Sequence, residues 1–530
     1  MAFPAYRQYR FHGNWLRVPA KNGTGETVEV LMKRLGWRPR WAAVAAAGLA
    51  VGAVGGPVAA AGAAPATGPH VKLIVAQNSI TVPRYGHQVY IDPGIWVASL
   101  GSALQLDVQR PDYATPLTIT QVVHLPGGGT QRIPWPASVT GTVPYGLKDF
   151  ANLAVRNSAG KVVGSSRLEF CPDSYDPERA SPSSPATSPY PQECVGDPFP
   201  KSLVWGVERG WAADPAEQNF QGMRLALGHY TVTETITPTY AQLLNISAAD
   251  STATVKMTVV KASAGGGLAA HAANRPQSQP KSRPLRSAPA VPALANPPAS
   301  TLPDLVPLPS WGISVVHVKK TKTQAASDQL DFGATVSVGH APLDVEGFRS
   351  HGLPTMKAYQ YFWQNGHIIG RVRAGTMGFD SKKGHNHWHF EQFAQYKLLN
   401  SGKQLAVSSH KVGFCIAPTD PVDLVQPGAV WQPSYLGLGG QCGSTTALWV
   451  QELMPVGWGD TYVQQIAGQS FDITKVPNGT YYIEVVANPL KVLHESDTSN
   501  DVSLRQVILG GKAGHRTVRV PAVNGIDPEG

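Results

Sequence analysis

Short runs of Val, Ile, Thr and aromatic residues recur along most of this chain, alternating with polar residues and broken at close intervals by Gly, Pro, Asn or Ser. Alternation with a period of two puts every second side chain on one face, which is the pattern of half-buried strands, and long 3.6-residue periodicities are scarce. The pattern predicts an all-β protein. Segments 70–82, 88–97, 104–108 and 252–260 read as strands of a first β-rich region, and a second such region runs from Leu302 to about Gly511. In the second, Asn365-Gly366 separates Tyr359–Trp363 from His367–Val372, and Asn478-Gly479 separates Phe471–Thr474 from Tyr481–Val486. Both dipeptides suit the tight turn of a hairpin, whose two central residues need positive φ.

Between and around these regions the composition changes. Residues 41–65 form an Ala/Gly/Val run that follows Lys33, Arg34, Arg38 and Arg40 and ends at the small residues Ala64-Pro65-Ala66, as in a Sec-type secretory signal. A start at Met32 gives that signal normal proportions. The run is weakly hydrophobic and is interrupted by Gly55-Gly56-Pro57, which argues against an uncleaved membrane anchor. Residues 261–302 are Ala, Pro, Ser and Gly with scattered basic residues, including Lys281, Arg283 and Arg286, too poor in apolar side chains to offset the entropy of ordering. The expected organisation is a signal region at 1–66, an N-terminal β-rich domain at 67–260, a linker at 261–302, a second β domain at 303–511 and a tail at 512–530. A sandwich that positions or binds something is the expectation for the first domain, and a compact sandwich with long loops for the second.

The charge balance changes once this organisation is applied. The chain carries 44 Lys and Arg against 35 Asp and Glu, a net +9. Residues 1–65 hold eight basic and two acidic residues, so they account for +6, and the linker's five basic residues take the remaining +3 to −2. A near-neutral folded part excludes nucleic acid as a partner, because phosphate binding needs a basic surface. Four cysteines, Cys171, Cys194, Cys415 and Cys442, are an even number in a chain that reads as exported. Of the three pairings possible, position favours Cys171 with Cys194 and Cys415 with Cys442, each within one expected domain.

The candidate chemistry lies in the second region. Gly384-His-Asn-His-Trp-His389 sets His385, His387 and His389 two residues apart in a β-type segment, so their imidazoles share a face within reach of one metal ion. Neutral imidazoles suit copper, zinc, nickel or iron, and no cysteine adjoins the triplet. The residues alone leave the metal open.

Together with Leu302-Pro-Asp-Leu-Val306, His410-Lys-Val-Gly-Phe-Cys415, Gly459-Asp-Thr-Tyr462, Gln469-Ser-Phe-Asp-Ile-Thr474, Pro477-Asn-Gly-Thr-Tyr481 and Glu495-Ser-Asp-Thr-Ser-Asn500, the histidine motif resembles the lysyl oxidases, in the same order along the chain. These are copper amine oxidases whose quinone is made from their own side chains. The resemblance covers roughly two fifths of the chain, counted over these motifs and the residues between them. It implies that His385, His387 and His389 hold copper(II), and that Lys411 and Tyr462 cross-link into lysine tyrosylquinone.

The implied reaction condenses a primary amine, free or in a lysine-containing protein, with the quinone carbonyl. A base removes the α-proton, an aldehyde is released, and dioxygen reoxidises the cofactor, giving hydrogen peroxide and ammonia. Asp460, two residues from Tyr462, is the candidate base. The resemblance also implies a calcium site joining Asp304 and the Leu305 carbonyl to Glu495, Asp497, Asn500 and Asp501, where Asp501 replaces the second Asn usual in animal members. Cysteines are fewer than in animal members, and the loop 421–438 lengthens the separation of Lys411 from Tyr462. The Ala/Gly-rich signal reads as that of a bacterial member acting outside the cell, with no stable membrane insertion once the signal is cleaved. Two other readings stand beside this one. The first is a copper-binding or adhesion protein that never matures its quinone. The second is a cupin-type oxygenase, suggested by His387-Trp-His389 with Glu391 but lacking a His after Pro477-Asn-Gly479.

Overall fold

A computed structural model describes residues 5–11, 14–20 and 68–529 except 142–143, 175, 217–221, 263–290, 321–324, 351, 382–385, 410, 412, 434–440, 465 and 467. Residues 1–66 form one unit, in which strands Ala5–Phe11 and Asn14–Ala20 pair antiparallel. The expected signal run at 41–65 and the start at Met32 lie outside the described residues, as does most of the expected linker. No helix among the described residues is long and apolar enough to cross a membrane. The all-β expectation is met: among the described residues one six-residue α-helix, Pro238–Leu243, accompanies the strands.

Residues 68–262 build a seven-stranded sheet and two four-stranded sheets around one apolar core. Strand Thr252–Lys261 shows how the alternation works: Ala253, Val255, Met257 and Val259 are buried and the residues between them face outward. The segment 70–82 is two strands, Val71–Val75 and Ser79–Tyr85, and the segment 88–97 is likewise split into Gln88–Tyr90 and Ile95–Ser99. Asp92-Pro93-Gly94 makes the second break, with Gly94 at φ 65 and its N–H donated to Asp92 Oδ1 at 2.8 Å.

From Asp304 the chain builds a six-stranded sheet on Ser327–Gly339 and two five-stranded sheets around a second core. Asn365 and Gly366, at φ 49 and φ 77, turn Thr355–Gln364 back onto His367–Asp380 as expected. Asn478-Gly479 does not make a hairpin. Ser470–Asp472 pairs with Ser327–Gly339, whereas Gly479–Ala487 lies between Ala394–Asn400 and Val502–Lys512. The flanking runs belong to different sheets, so the turn connects layers.

The two regions meet along strand edges. Ser202–Val207 is the edge of its four-stranded sheet, and Ser202 bridges Asp423 in parallel. Lys201 N and Ser202 N donate to the Val422 carbonyl at 2.8 and 3.1 Å, and Leu424 N donates to the Ser202 carbonyl at 3.0 Å. Phe199 packs with Leu308, Trp311, Val422 and Ile526 in a third, small apolar cluster.

Candidate active site

Strand Trp458–Tyr462 carries Asp460 and Tyr462 on its inner face, because alternate residues of a strand share a face. Tyr462 is anchored at its hydroxyl oxygen, which accepts the Cys415 N–H at 2.8 Å, and at its carbonyl, which accepts from Gln469 Nε2 at 2.9 Å. Its ring meets Phe414 edge-on at 5.0 Å between centroids. Lys411, 5% exposed, places Nζ over the face of the Tyr462 ring, 4.1 Å from its centroid, and 5.1 Å from that of Phe414. A buried amine over a buried phenol face is a costly pairing for a merely structural core, in which lysine is almost never fully buried. Ser409 helps to hold this backbone: its Oγ accepts the Lys411 N–H at 3.0 Å and donates to the Gly468 carbonyl at 2.9 Å.

Burial pushes the Tyr462 hydroxyl well above the usual phenol range, with Asp460 adding to the effect, so the ring is a neutral phenol. Burial likewise pushes the Asp460 carboxyl well above its ordinary value, opposed by the nearby Lys411 charge, and Oδ2 of Asp460 has no hydrogen-bond partner. Asp460 thus combines a raised proton affinity with an open acceptor position beside Lys411.

The histidine strand is joined directly to the lysine segment. His387–Phe390 pairs with His367–Asp380, and on its other side Phe390 exchanges N–H···O bonds with Phe414 at 2.8 and 3.0 Å. Trp388 N also donates to the Cys442 carbonyl at 2.9 Å, so the Cys415–Cys442 disulfide ties together the two segments that flank the strand. His387 and His389 are both buried, with ring centroids 4.8 Å apart. The strand ends at Phe390, earlier than the sequence pattern suggests, and the next residues turn. His385 lies outside the described residues. Among those described, no three His, Cys, Asp or Glu side chains converge as a metal site. The two imidazoles that are described fit a borderline transition metal in donor type and spacing.

Segments 302–305 and 495–501 also come together, with Ser496 N donating to the Pro303 carbonyl at 2.9 Å and Asn500 Nδ2 to Asp304 Oδ1 at 3.0 Å. Glu495 Oε2, Asn500 Oδ1 and Asp501 Oδ1 are buried without hydrogen-bond partners. Burial, reinforced by Asp501 and Asp304, pushes the Glu495 carboxyl up to about 8. Orphaned oxygens crowded with like charge fit a hard cation such as calcium. Asp497 faces elsewhere, its Oδ1 accepting the N–H and Oγ of Ser499 at 2.8 and 2.7 Å.

Residues 360–517 match the lysyl oxidase family model. This part of the chain is similar to the lysyl oxidases. Lysyl oxidase homolog 2 of Gallus gallus is 36% identical over 139 residues, and that of Homo sapiens 33% over the same length, each match covering 26% of this chain and 16% of the relative. Lysyl oxidase homolog 4 of Mus musculus is 31% identical over 133 residues, 25% of this chain and 16% of the relative. The chain therefore spans about a sixth of the length of these relatives, 16% of each.

Within the region that matches the lysyl oxidases the structure adds residues that spacing did not reveal. Asp380 lies opposite His387 across the strands, with Oδ2 3.9 Å from Nδ1 of His389, where a carboxylate can orient the imidazole. Gly413 passes so close to the histidine strand that a Cβ there would lie 2.8 Å from His389 Cβ, so only glycine lets the lysine segment run against it. Both disulfides expected from position form, with Cα separations of 6.2 Å for Cys171–Cys194 and 5.8 Å for Cys415–Cys442.

Proposed function

We propose that the protein is an exported copper-dependent amine oxidase that converts primary amines, peptidyl lysine or related amines, to aldehydes with release of hydrogen peroxide and ammonia. The observation that carries this reading is the Lys411 amine set 4.1 Å over the centroid of the buried Tyr462 ring, on a segment hydrogen-bonded to the histidine strand. An amine above the ring face is on the side from which it must attack to cross-link. His385, His387 and His389 would hold copper(II), oriented in part by Asp380. Copper would supply the chemistry with dioxygen that matures Tyr462 and Lys411 into lysine tyrosylquinone, which then serves as the electron sink.

The remaining work falls to the chain itself. The Cys415 N–H fixes the Tyr462 oxygen and with it the ring plane. Phe414, packed edge-on against Tyr462, keeps water from that side of the ring. Asp460 Oδ2 receives the proton from the α-carbon of the bound amine, and its raised proton affinity suits a base. Asp304, the Leu305 carbonyl, Glu495, Asp497, Asn500 and Asp501 would hold calcium and tie the start of the region to residues 495–501; Asp497 would have to turn from Ser499 to join them.

The test is an absorption spectrum of the copper-loaded protein in air, with and without phenylhydrazine, beside Lys411→Ala and a sample stripped of metal before exposure to air. A visible band that shifts with the hydrazine and is missing from both controls is the expected result. A colourless protein that holds copper would overturn the oxidase reading in favour of a copper-binding protein.

A further inference from the structure

The lysyl oxidase match begins at residue 360, and nothing in it assigns a role to the sheets at residues 68–262. The irregular segment at 194–200 that leads into strand Ser202–Val207 of those sheets touches the outer face of the strand whose inner face carries Asp460 and Tyr462. Thr461, between them, points the other way. Its hydroxyl pairs with that of Thr335 at 2.8 Å, and Thr335 Oγ1 donates to Asp197 Oδ2 at 2.5 Å. Asp197 is fully buried, and its other oxygen accepts the Phe199 N–H at 2.6 Å. A second link runs beside the first: Gly196 N donates to Asp420 Oδ1 at 2.7 Å, and Asp420 pairs with Gly459 across the sheet. Thr419 closes the set by accepting the Thr461 N–H at 2.7 Å through its hydroxyl.

We propose that the N-terminal sandwich is the back wall of the active site, with Asp197 as a positioning residue that fixes Asp460 and Tyr462 through Thr335 and Thr461. The inference rests on the amine oxidase reading and deepens it. A five-residue strand paired on one side to Ser327–Gly339 and on the other, among the described residues, to the two-residue strand Asp420–Pro421 is weakly held by its own ladder. The buried carboxylate supplies a charge-assisted hydrogen bond through the threonine pair, which stiffens the outer face and so sets where the inner face points. Lys411 and Tyr462 can cross-link only if ring and amine keep their register, and an error of about 1 Å in such a geometry is enough to slow a reaction about 100-fold.

Asp197→Ala, Asp197→Asn and Thr335→Val, each in the full chain, test this. The measurements are the rate of appearance of the quinone band after copper loading in air, bound copper, kcat and KM for a small primary amine, and amide hydrogen exchange over residues 458–462. Expected for Asp197→Ala and Thr335→Val is a band that forms at least about 10-fold more slowly, as the loss of one hydrogen bond to a charged group implies. Bound copper and KM should stay unchanged, kcat should be lowered and exchange at 458–462 should be faster. Asp197→Asn, which keeps an acceptor oxygen, should recover most of the loss. Unchanged band formation and kcat in a variant that is merely less heat-stable would overturn the proposal. Thr335→Val, close to isosteric, keeps the test decisive if Asp197→Ala does not fold. If the unaltered protein forms no quinone, the amine oxidase reading fails by itself. Hydrogen exchange then decides the wall alone, with faster exchange in the variants upholding it and unchanged exchange refuting it.

Discussion

Glu234 is a carboxyl placed where the alternation of its strand calls for an apolar residue. It sits between the buried Val232 and Ile236, is fully buried, and has no hydrogen-bond partner at either oxygen. Burial raises its proton affinity well above the ordinary carboxyl value of 4.5, and Asp214 and Asp92 push in the same direction. The folded state therefore keeps a proton that the unfolded chain releases. Stability contributed by this group is complete below about pH 4.5 and is lost as pH rises toward the folded-state value. Glu234→Leu should flatten that slope and stabilise the protein by about 1–3 kcal/mol at pH 7.5, read from urea midpoints at several pH values. A Glu234→Leu midpoint with the same pH dependence as the wild type would contradict a buried ionisable Glu234. Residue types in the candidate site were legible in the sequence because order and spacing survive in the one-dimensional record. Asp380 and Gly413 were not, because their importance comes from what lies across a strand or against it, and no local pattern encodes that.

At the scale of elements, the segment Phe414–Ile416 links most of the site. Phe414 pairs with the histidine strand, Cys415 N–H holds Tyr462, and Ile416 N donates at 3.0 Å to Oε2 of the fully buried Glu452. The Cys415–Cys442 bridge, closing a separation of 27 residues, pins this segment. Replacing both cysteines by Ala should cost about 3–4 kcal/mol by the loop-entropy relation and also slow cofactor formation, since the same backbone positions the phenol. Denaturant unfolding gives the first quantity and the visible band the second; a loss of stability with no change in the band would separate bracing from positioning. Strands themselves were readable from period-two alternation, and the Asn365-Gly366 turn from its positive-φ demand. Asn478-Gly479 misled because the same dipeptide serves any tight reversal, and which sheet each flanking strand joins is decided by distant partners.

For the molecule as a whole, the two β regions share too much to act as beads on a string. Phe199 is buried among Leu308, Trp311, Val422 and Ile526, and Arg110 donates to the Pro198 and Pro200 carbonyls at 3.0 and 3.1 Å, fixing the segment that presents it. Burying a Phe is worth about 1.5–3 kcal/mol, and the strand-edge hydrogen bonds add to it. Calorimetry of the chain should accordingly give one unfolding transition for residues 67–530; two well-separated transitions would show the contact to be incidental. The pairing of Ser202 with Asp423 spans 221 residues of sequence. At ordinary rates of synthesis, on the order of 5–20 residues per second, the free edge of Ser202–Val207 waits roughly 10–40 s for the chain that covers it. An uncovered edge strand is a template for any other extended chain. Products that stop short of Val422 should therefore pair with one another through this edge and sediment as aggregates, while the full-length chain closes the edge upon itself.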